Sequence, residues 1–291
     1  MSRQRLKSLF SNRPAGFTLI ELITVIIVLG VVSVGIAGFI RSGIGIYNDA
    51  TERDQLLSES RFVVERLNRE LRMAVPNSAR IVGDEAAEIQ CLEFVPARWV
   101  AFYTRLPVKP DTLSTVNIIE IAGNAAGFTL DSDGIAPHDY ALVYPNSSED
   151  IYDTGRNKRQ TITGCVDEGA NTSCSTDDDP GNLAKLSVSA TFADHSPASR
   201  LYIVRRAISY CAVGSSIFRN EGDIQTVQTL YAGGVLMAEN LSNDMADSTR
   251  WPFQVREASL TRNGLVNMLL TFERNDEIVN FSNEVHIPNV P

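Results

Sequence analysis

Basic and apolar positions are sharply separated at the start of the chain. The first sixteen positions contain no acidic residue and four basic ones, namely Arg3, Arg5, Lys7 and Arg13. Residues 22–40 are then almost purely apolar. As a helix, this run is close to the length of about 20 residues that is needed to cross a bilayer core of about 30 Å. We therefore expect a basic leader at residues 1–16 and a membrane-spanning helix at residues 17–40.

Apolar residues continue at helical spacing beyond the membrane run. No proline occurs between this run and Pro76, and four apolar residues recur every seven positions, namely Ala50, Leu57, Val64 and Leu71. This stripe predicts one long helix within residues 17–75, whose second half packs on the rest of the protein. A coiled coil along the same stripe is the alternative interpretation.

The pattern changes after Pro76 to short runs of β-branched and aromatic residues between Pro, Gly, Asn and Asp. Such runs predict strands, here at residues 88–95, 98–105, 116–122, 140–144, 183–192 and 201–213. An Asn-Gly pair, Asn263-Gly264, predicts a tight hairpin between 253–261 and 265–273. A turn at Asn275-Asp276 then returns the chain into 278–287, which completes a three-stranded antiparallel meander. The predicted fold class is α+β, a long N-terminal helix packed on an antiparallel sheet head at residues 76–291.

A polar stretch interrupts the predicted strands at residues 145–182. It is rich in Asp and Glu, and connections this long are usually functional surface loops or locally disordered. Cys165 and Cys174 lie inside it, so a disulfide between them would pin the loop. Cys91 and Cys211 lie on predicted strands and would form a second bond across the head. Two other pairings, and unpaired thiols, stay open on the sequence alone.

Charge and motifs exclude several classes of function. The formal net charge is -9 at pH 7, and loss of the basic leader would make the remainder more acidic still, so we expect no nucleic-acid partner. The chain contains no P-loop, H-E-x-x-H or G-x-S-x-G motif, and we therefore expect neither a cofactor nor an enzyme. The weak metal candidates are Asp131, Asp133, Asp177, Asp178 and Asp179. The first two are better interpreted as a turn and the last three as a solvated acidic patch.

The segment Gly16-Phe17-Thr18-Leu19-Ile20-Glu21, between the basic leader and the apolar run, resembles the class III leader of type IV pilins and type II secretion pseudopilins. The resemblance implies that a prepilin peptidase cleaves after Gly16 and N-methylates Phe17. It also implies that the carboxylate of Glu21 meets the N-terminal amine of a neighbouring subunit. By the positive-inside rule, the leader stays in the cytoplasm and the head lies in the periplasm, then on the pilus or cell surface.

The position of Glu21 is unusual on physical grounds alone. A carboxylate near the centre of a bilayer costs about 2.5–3.5 kcal/mol on insertion scales, and less near an interface. Such a group is expected to have a partner or a task. The alternative is that Glu21 simply lies among lipid head groups.

Four later segments resemble the larger minor pilins and J-type pseudopilins. They are the long helix leading into Pro76, the strand-rich segment at residues 201–206, the Trp251-Pro252 turn and residues 281–285. The ending at residues 283–291 is most similar to the O-type biogenesis proteins of mannose-sensitive haemagglutinin (MSHA) pili. This implies a minor pilin that primes or joins a type IV pilus. The large head and its long acidic loop would be hard to pack along a filament shaft, so we expect the subunit at the tip. The implied partners are prepilin peptidase, other minor and major pilins, and the inner-membrane assembly platform. The alternatives are a J-type subunit of a type II secretion tip complex and a pilus-borne adhesin that binds through residues 145–182.

Overall fold

A computed structural model of the protein describes residues 16–119, 135–167, 183–258 and 262–288. The chain divides into two compact units, one ending at Asp54 and one beginning at Gln55.

The predicted long helix is present as α1 (Leu19–Arg72). It ends where the chain joins the sheet, because the Val75 N–H donates to the Val95 carbonyl at 2.9 Å instead of to a helical carbonyl. Pro76 then prevents any further helix.

The part of α1 that belongs to the second unit has one buried face. Its buried residues are Leu56, Ser60, Val63, Val64, Leu67 and Leu71. The predicted seven-residue stripe is therefore right at Val64 and Leu71 and wrong at its start, where Ala50 is exposed and Leu57 is only partly buried. An ideal α-helix drifts by about 20° per seven residues, so a strict seven-residue repeat rotates off one straight face.

The described residues of the second unit otherwise contain fourteen strands and one short α-helix. The strands are β1 (Arg80–Asp84), β2 (Ile89–Phe94), β3 (Ala97–Arg105), β4 (Thr115–Ile119), β5 (Tyr140–Val143), β6 (Arg159–Asp167), β7 (Leu183–Val188), β8 (Arg200–Val204), β9 (Ala207–Val213), β10 (Ser216–Gly222), β11 (Val235–Ala238), β12 (Phe253–Arg256), β13 (Gly264–Arg274) and β14 (Glu277–Ile287). The short helix is α2 (Ser148–Tyr152).

These strands form three antiparallel systems. A five-stranded sheet has the order β1-β2-β9-β10-β11, and a meander has the order β12-β13-β14. The strands β3-β4-β7-β6-β5-β8 close into a barrel. The predicted α+β class and the C-terminal meander are confirmed, whereas the barrel was not foreseen.

The largest core cluster lies where α1, the five-stranded sheet and the meander meet. Leu67 and Leu71 of α1, Tyr210 of β9, and Met268 and Phe272 of β13 are all buried in it. A second cluster fills the barrel. A third cluster combines residues of the five-stranded sheet, the barrel and α2, and thereby joins them.

The run at residues 201–213, expected as one strand, is two. Its first part is β8 in the barrel and its second part is β9 in the five-stranded sheet. The break falls at Arg205 and Arg206, and the Nε of Arg205 donates to Oδ1 of Asp139 at 2.6 Å. The two arginines thus separate two buried strands, and the chain passes there from the barrel to the five-stranded sheet.

The predicted Asn-Gly hairpin is wrong, although the strands that flank it exist. Leu265 lies opposite Arg256, so eight residues separate the paired positions. Gly264 is not in a turn but lies within β13, opposite Ile287. The register follows from the core, because it places Phe253 beside Met268 and both side chains are buried. A two-residue turn would have paired Leu265 with Arg262 instead.

The expected surface loop at residues 145–182 is also wrong in its first part. Residues 148–152 form α2, and residues 159–167 form β6 inside the barrel. Ile151 and Tyr152 are buried, and they anchor this stretch to the core. The sequence did not indicate this burial, because the two apolar residues lie in an otherwise polar stretch. Residues 168–182 lie outside the described part of the chain.

Candidate functional site

The segment around the predicted cleavage position has a simple geometry. Gly16, Phe17 and Thr18 have no regular secondary structure, and α1 begins at the next residue. The Thr18 hydroxyl caps the helix by accepting from the Glu21 N–H at 3.3 Å, which is the usual role of threonine at this position. Phe17 is 82% exposed. The bond between Gly16 and Phe17 therefore lies in an accessible, non-helical segment.

Glu21 occupies the first turn of α1. A carboxylate is favoured there by the positive end of the helix dipole. The hydrogen bonds described for Glu21 involve only its backbone, since its carbonyl accepts from the Thr24 hydroxyl at 2.9 Å. Within residues 16–119 and the other described ranges, no ion pair or hydrogen bond of its carboxylate is found.

Local structure does not explain why position 16 is glycine. A Cβ at Gly16 would meet nothing within 4 Å. The same holds for the glycines inside α1, which are Gly30, Gly35, Gly38, Gly43 and Gly45. Glycine costs about 1 kcal/mol against alanine inside a helix. No close contact within the described structure requires glycine at these positions.

The first unit exposes an almost continuous apolar surface. Most large apolar side chains from Phe17 to Tyr47 are more than 40% exposed. The part of α1 between Leu19 and Ile40 is about 33 Å long at 1.5 Å per residue, which matches the hydrocarbon thickness of a bilayer. By length and composition, α1 can cross a membrane.

Comparison with protein families identifies this segment. Residues 11–37 match the model of the prokaryotic N-terminal methylation motif. The N-terminal segment is type IV pilin-like. Together with the apolar helix, this match supports a membrane-anchored, pilin-like or pseudopilin protein, a prepilin peptidase as its processing enzyme, and a structural rather than enzymatic role. No curated protein and no solved structure matches the chain.

One predicted disulfide is present in the second unit. Cys91 and Cys211 lie directly opposite each other on β2 and β9 and are bonded, with both residues buried. Cys165 of β6 is also disulfide-bonded. Its predicted partner, Cys174, lies outside the described residues, so that pairing stays a prediction.

The predicted metal candidates Asp131, Asp133, Asp177, Asp178 and Asp179 all lie outside the described residues. Within the described ranges, no group of three or more His, Cys, Asp or Glu side chains is arranged to hold a metal ion.

Sequence reasoning missed an ionic cluster that fastens the end of α1 to the five-stranded sheet. Oε2 of Glu70 accepts from the Tyr210 hydroxyl at 3.0 Å and from Nε of Arg219 at 3.0 Å. Arg66 pairs with the same carboxylate at 3.1 Å. Burial and the negative charge of Glu70 raise the pKa of Tyr210 well above its usual value. Tyr210 and Arg219 lie far from Glu70 in the sequence, so no local pattern indicates their contacts with it.

A second carboxylate joins the barrel to the segment between β8 and β9. Asp139 is fully buried and lies 2.6 Å from Nε of Arg205 and 3.5 Å from Nη1 of Arg98. It also accepts from the Ala136 N–H at 2.9 Å. The two adjacent arginines in the sequence, Arg205 and Arg206, were the available signal for this site.

Proposed function

We propose that the protein is a minor pilin that primes or joins assembly of a type IV pilus of the MSHA kind. The observation that carries the proposal is the methylation motif at residues 11–37, which includes the start of the exposed apolar helix α1. In this proposal prepilin peptidase cuts between Gly16 and Phe17 and methylates the new N-terminus. The accessible, non-helical conformation of this bond favours such a cut.

The proposed location before assembly is the bacterial inner membrane, with residues 17–40 across the bilayer and the head in the periplasm. A disulfide-bonded head favours this location, because disulfides persist in oxidising compartments. After assembly the subunit would be part of the pilus at the cell surface.

Glu21 is proposed to hold the subunit in the filament. Its carboxylate lies in an apolar surface and has no partner among the described residues. In such an environment, pairing with an opposite charge strongly lowers the electrostatic free energy of an unpaired carboxylate. The methylated amine of Phe17 on a neighbouring subunit is a suitable partner.

We place the subunit at the tip of the filament. The second unit runs from Gln55 to Pro291, and a head of this size is hard to repeat along a closely packed shaft. At a tip, one side of the head stays free. A J-type pseudopilin of a type II secretion tip complex shares the motif and is the second candidate, and an adhesin head is the third.

Mass spectrometry of the mature protein tests the processing step. We expect an N-terminus at Phe17 that carries one additional methyl group and a retained apolar helix. An N-terminus beyond Ile40 would identify an ordinary secreted protein and end the pilin proposal.

Counting filaments tests the minor-pilin role. In a deletion strain, electron microscopy should show fewer surface pili of normal length and width, and sheared pili of the parent strain should contain few copies of this protein per major pilin. Near-stoichiometric abundance along the shaft would contradict the minor role. Unchanged pili with a loss of secreted proteins would favour the J-type candidate.

A further inference from the structure

The backbone of β14 leaves a long sheet edge open. β14 is the last strand of the meander and pairs with β13 in an unbroken register from Glu277 to Ile287. Among the described residues, no second strand pairs with it.

The turn before β14 fixes which of its backbone groups are free. Asn275 and Asp276 both have positive φ, 51° and 65°, which is the type I′ hairpin geometry. Such a turn bonds the N–H of Glu277 to the carbonyl of Arg274. Because the direction of backbone groups alternates along a strand, odd-numbered residues of β14 bond to β13. The even-numbered residues direct their N–H and carbonyl groups to the open edge: Ile278, Asn280, Ser282, Glu284 and His286.

The hydrogen bonds on the far side of β13 agree with this assignment. The same alternation requires odd-numbered residues of β13 to bond away from β14. The Leu269 N–H donates to the Pro252 carbonyl at 2.8 Å and the Glu273 N–H donates to the Asn240 carbonyl at 2.9 Å. The turn and the bonds on the far side of β13 therefore give the same assignment independently.

The other edge strands of the described structure are protected against pairing with a further strand. β11 has only four residues, and its register with β10 shifts at Ile217. β1 has five residues, and the ring of Trp251 lies directly over its Gly83. At β12, the side-chain amide of Gln90 bonds both the Phe253 carbonyl and the Phe253 N–H, at 2.8 and 2.9 Å. Short length, bulges and covering groups are the usual protection of an edge.

β14 has none of these devices. It has eleven residues and contains no proline, lysine or arginine. Its core-facing side chains include Val279 and Phe281, which are only partly buried and border the main core cluster. A further strand on this edge would cover both side chains and bond five consecutive outward N–H and carbonyl pairs.

We propose that the β14 edge binds an extended segment of another polypeptide, with apolar side chains alternating with lysine or arginine. Main-chain bonds supply the affinity in such strand addition, and alternate side chains supply the selectivity. Apolar side chains of the partner would lie beside Val279 and Phe281. Its basic side chains would face the outer surface of the sheet, where β14 presents Glu284 and β13 presents Glu273, both exposed. This site depends on the head alone and not on processing at Gly16.

A labelled nine-residue peptide of alternating valine and lysine tests the site. The full chain is held in nanodiscs of neutral phosphatidylcholine, and binding is followed by fluorescence anisotropy. The control peptides have the same composition in blocks, or glutamate in place of lysine. We expect binding of the alternating Val/Lys peptide only.

Ser282→Pro is the decisive variant, with Ser282→Ala as its matched control. Proline removes an outward N–H and leaves every bond to β13 in place, which is the arrangement that edge strands tolerate. We expect Ser282→Pro to lower the affinity for the alternating Val/Lys peptide by about tenfold. Ser282→Ala should bind this peptide with unchanged affinity. Glu284→Lys changes a side chain and leaves the backbone groups in place. It should lower the affinity for the Val/Lys peptide and raise the affinity for the Val/Glu peptide.

Hydrogen exchange supplies a direct readout. The bound peptide should slow exchange at the even-numbered amides of β14, whereas the odd-numbered amides are already protected by β13. Equal binding by Ser282→Pro, or new protection elsewhere, would overturn the proposal. A doubled mass of the full chain that Ser282→Pro abolishes would assign the edge to a second copy and would also overturn it.

Discussion

The Cys91–Cys211 bond should supply a large share of the stability of the head. The two cysteines are 120 residues apart in the sequence, so the bond closes a long loop in the unfolded chain. The loop-entropy relation gives about 5 kcal/mol at 25 °C for a loop of this length. Because domains are usually stable by about 5–15 kcal/mol, we expect Cys91→Ala with Cys211→Ala to leave the head marginally stable.

Urea unfolding of the full chain in detergent micelles measures this effect. Fluorescence of Trp99, on β3 of the barrel, and of Trp251, over β1, follows two parts of the head. The matched control is Cys165→Ala with Cys174→Ala. If that bond exists it closes only a nine-residue separation, for which the same relation gives about 2.6 kcal/mol.

The comparison of the two double variants decides whether loop length controls the loss of stability. A loss below about 1 kcal/mol for the Cys91 and Cys211 variant would mean that the unfolded chain is already restricted without the bond. An equal loss for both pairs would show that loop length is not the controlling variable.

Three further changes have defined outcomes. Glu21→Val should leave membrane insertion intact, because it only removes a charge from an apolar run, while lowering the amount of this protein in sheared pili. Glu70→Gln should reduce the free energy of unfolding by about 1–3 kcal/mol, since Arg219 and Tyr210 lose a charged partner. The raised pKa of Tyr210 means that the contribution of Tyr210 to stability is fully present below pH about 10 and falls as pH rises beyond it. Asp139→Ala should cost about 3 kcal/mol by leaving Arg205 and Arg98 without their buried carboxylate.

Each of these outcomes can be contradicted. Loss of Glu21→Val from the membrane fraction would assign the carboxylate to insertion instead of assembly. Urea midpoints unchanged in Glu70→Gln, or stability unchanged up to pH about 12, would show that the cluster does not hold α1. Thermal unfolding of Asp139→Ala at the parent temperature would show that water replaces the carboxylate.

The elements that the sequence predicted well are those encoded by neighbouring residues. The helix follows from an uninterrupted apolar run, and the turn at Asn275-Asp276 follows from two residues that tolerate positive φ. Gly16, Phe17 and Glu21 form a contiguous motif, so they could be singled out without any tertiary information. The pairing of Cys91 with Cys211 was favoured because both cysteines lie on predicted strands.

The elements that it missed depend on contacts between distant segments. The register of β12 is set by Phe253 and Met268 in a shared core, and it overrides the local preference of Asn263-Gly264 for a turn. The barrel closes through pairs such as β3 with β8, which no local pattern specifies. α2 and β6 escaped notice because Ile151 and Tyr152 stand alone among polar neighbours.

The core cluster that contains Leu67 also has a consequence for the order in which the protein is made. Its members on α1 leave the ribosome early, whereas Met268, Phe272 and Val285 follow about 200 residues later. During synthesis, the apolar face of α1 therefore stays uncovered until the meander has been made, because contacts between such distant residues form late. A chain truncated before residue 264 would keep its membrane segment but could not complete this core. Cellular proteases would then encounter an open head, so unfinished chains would be removed.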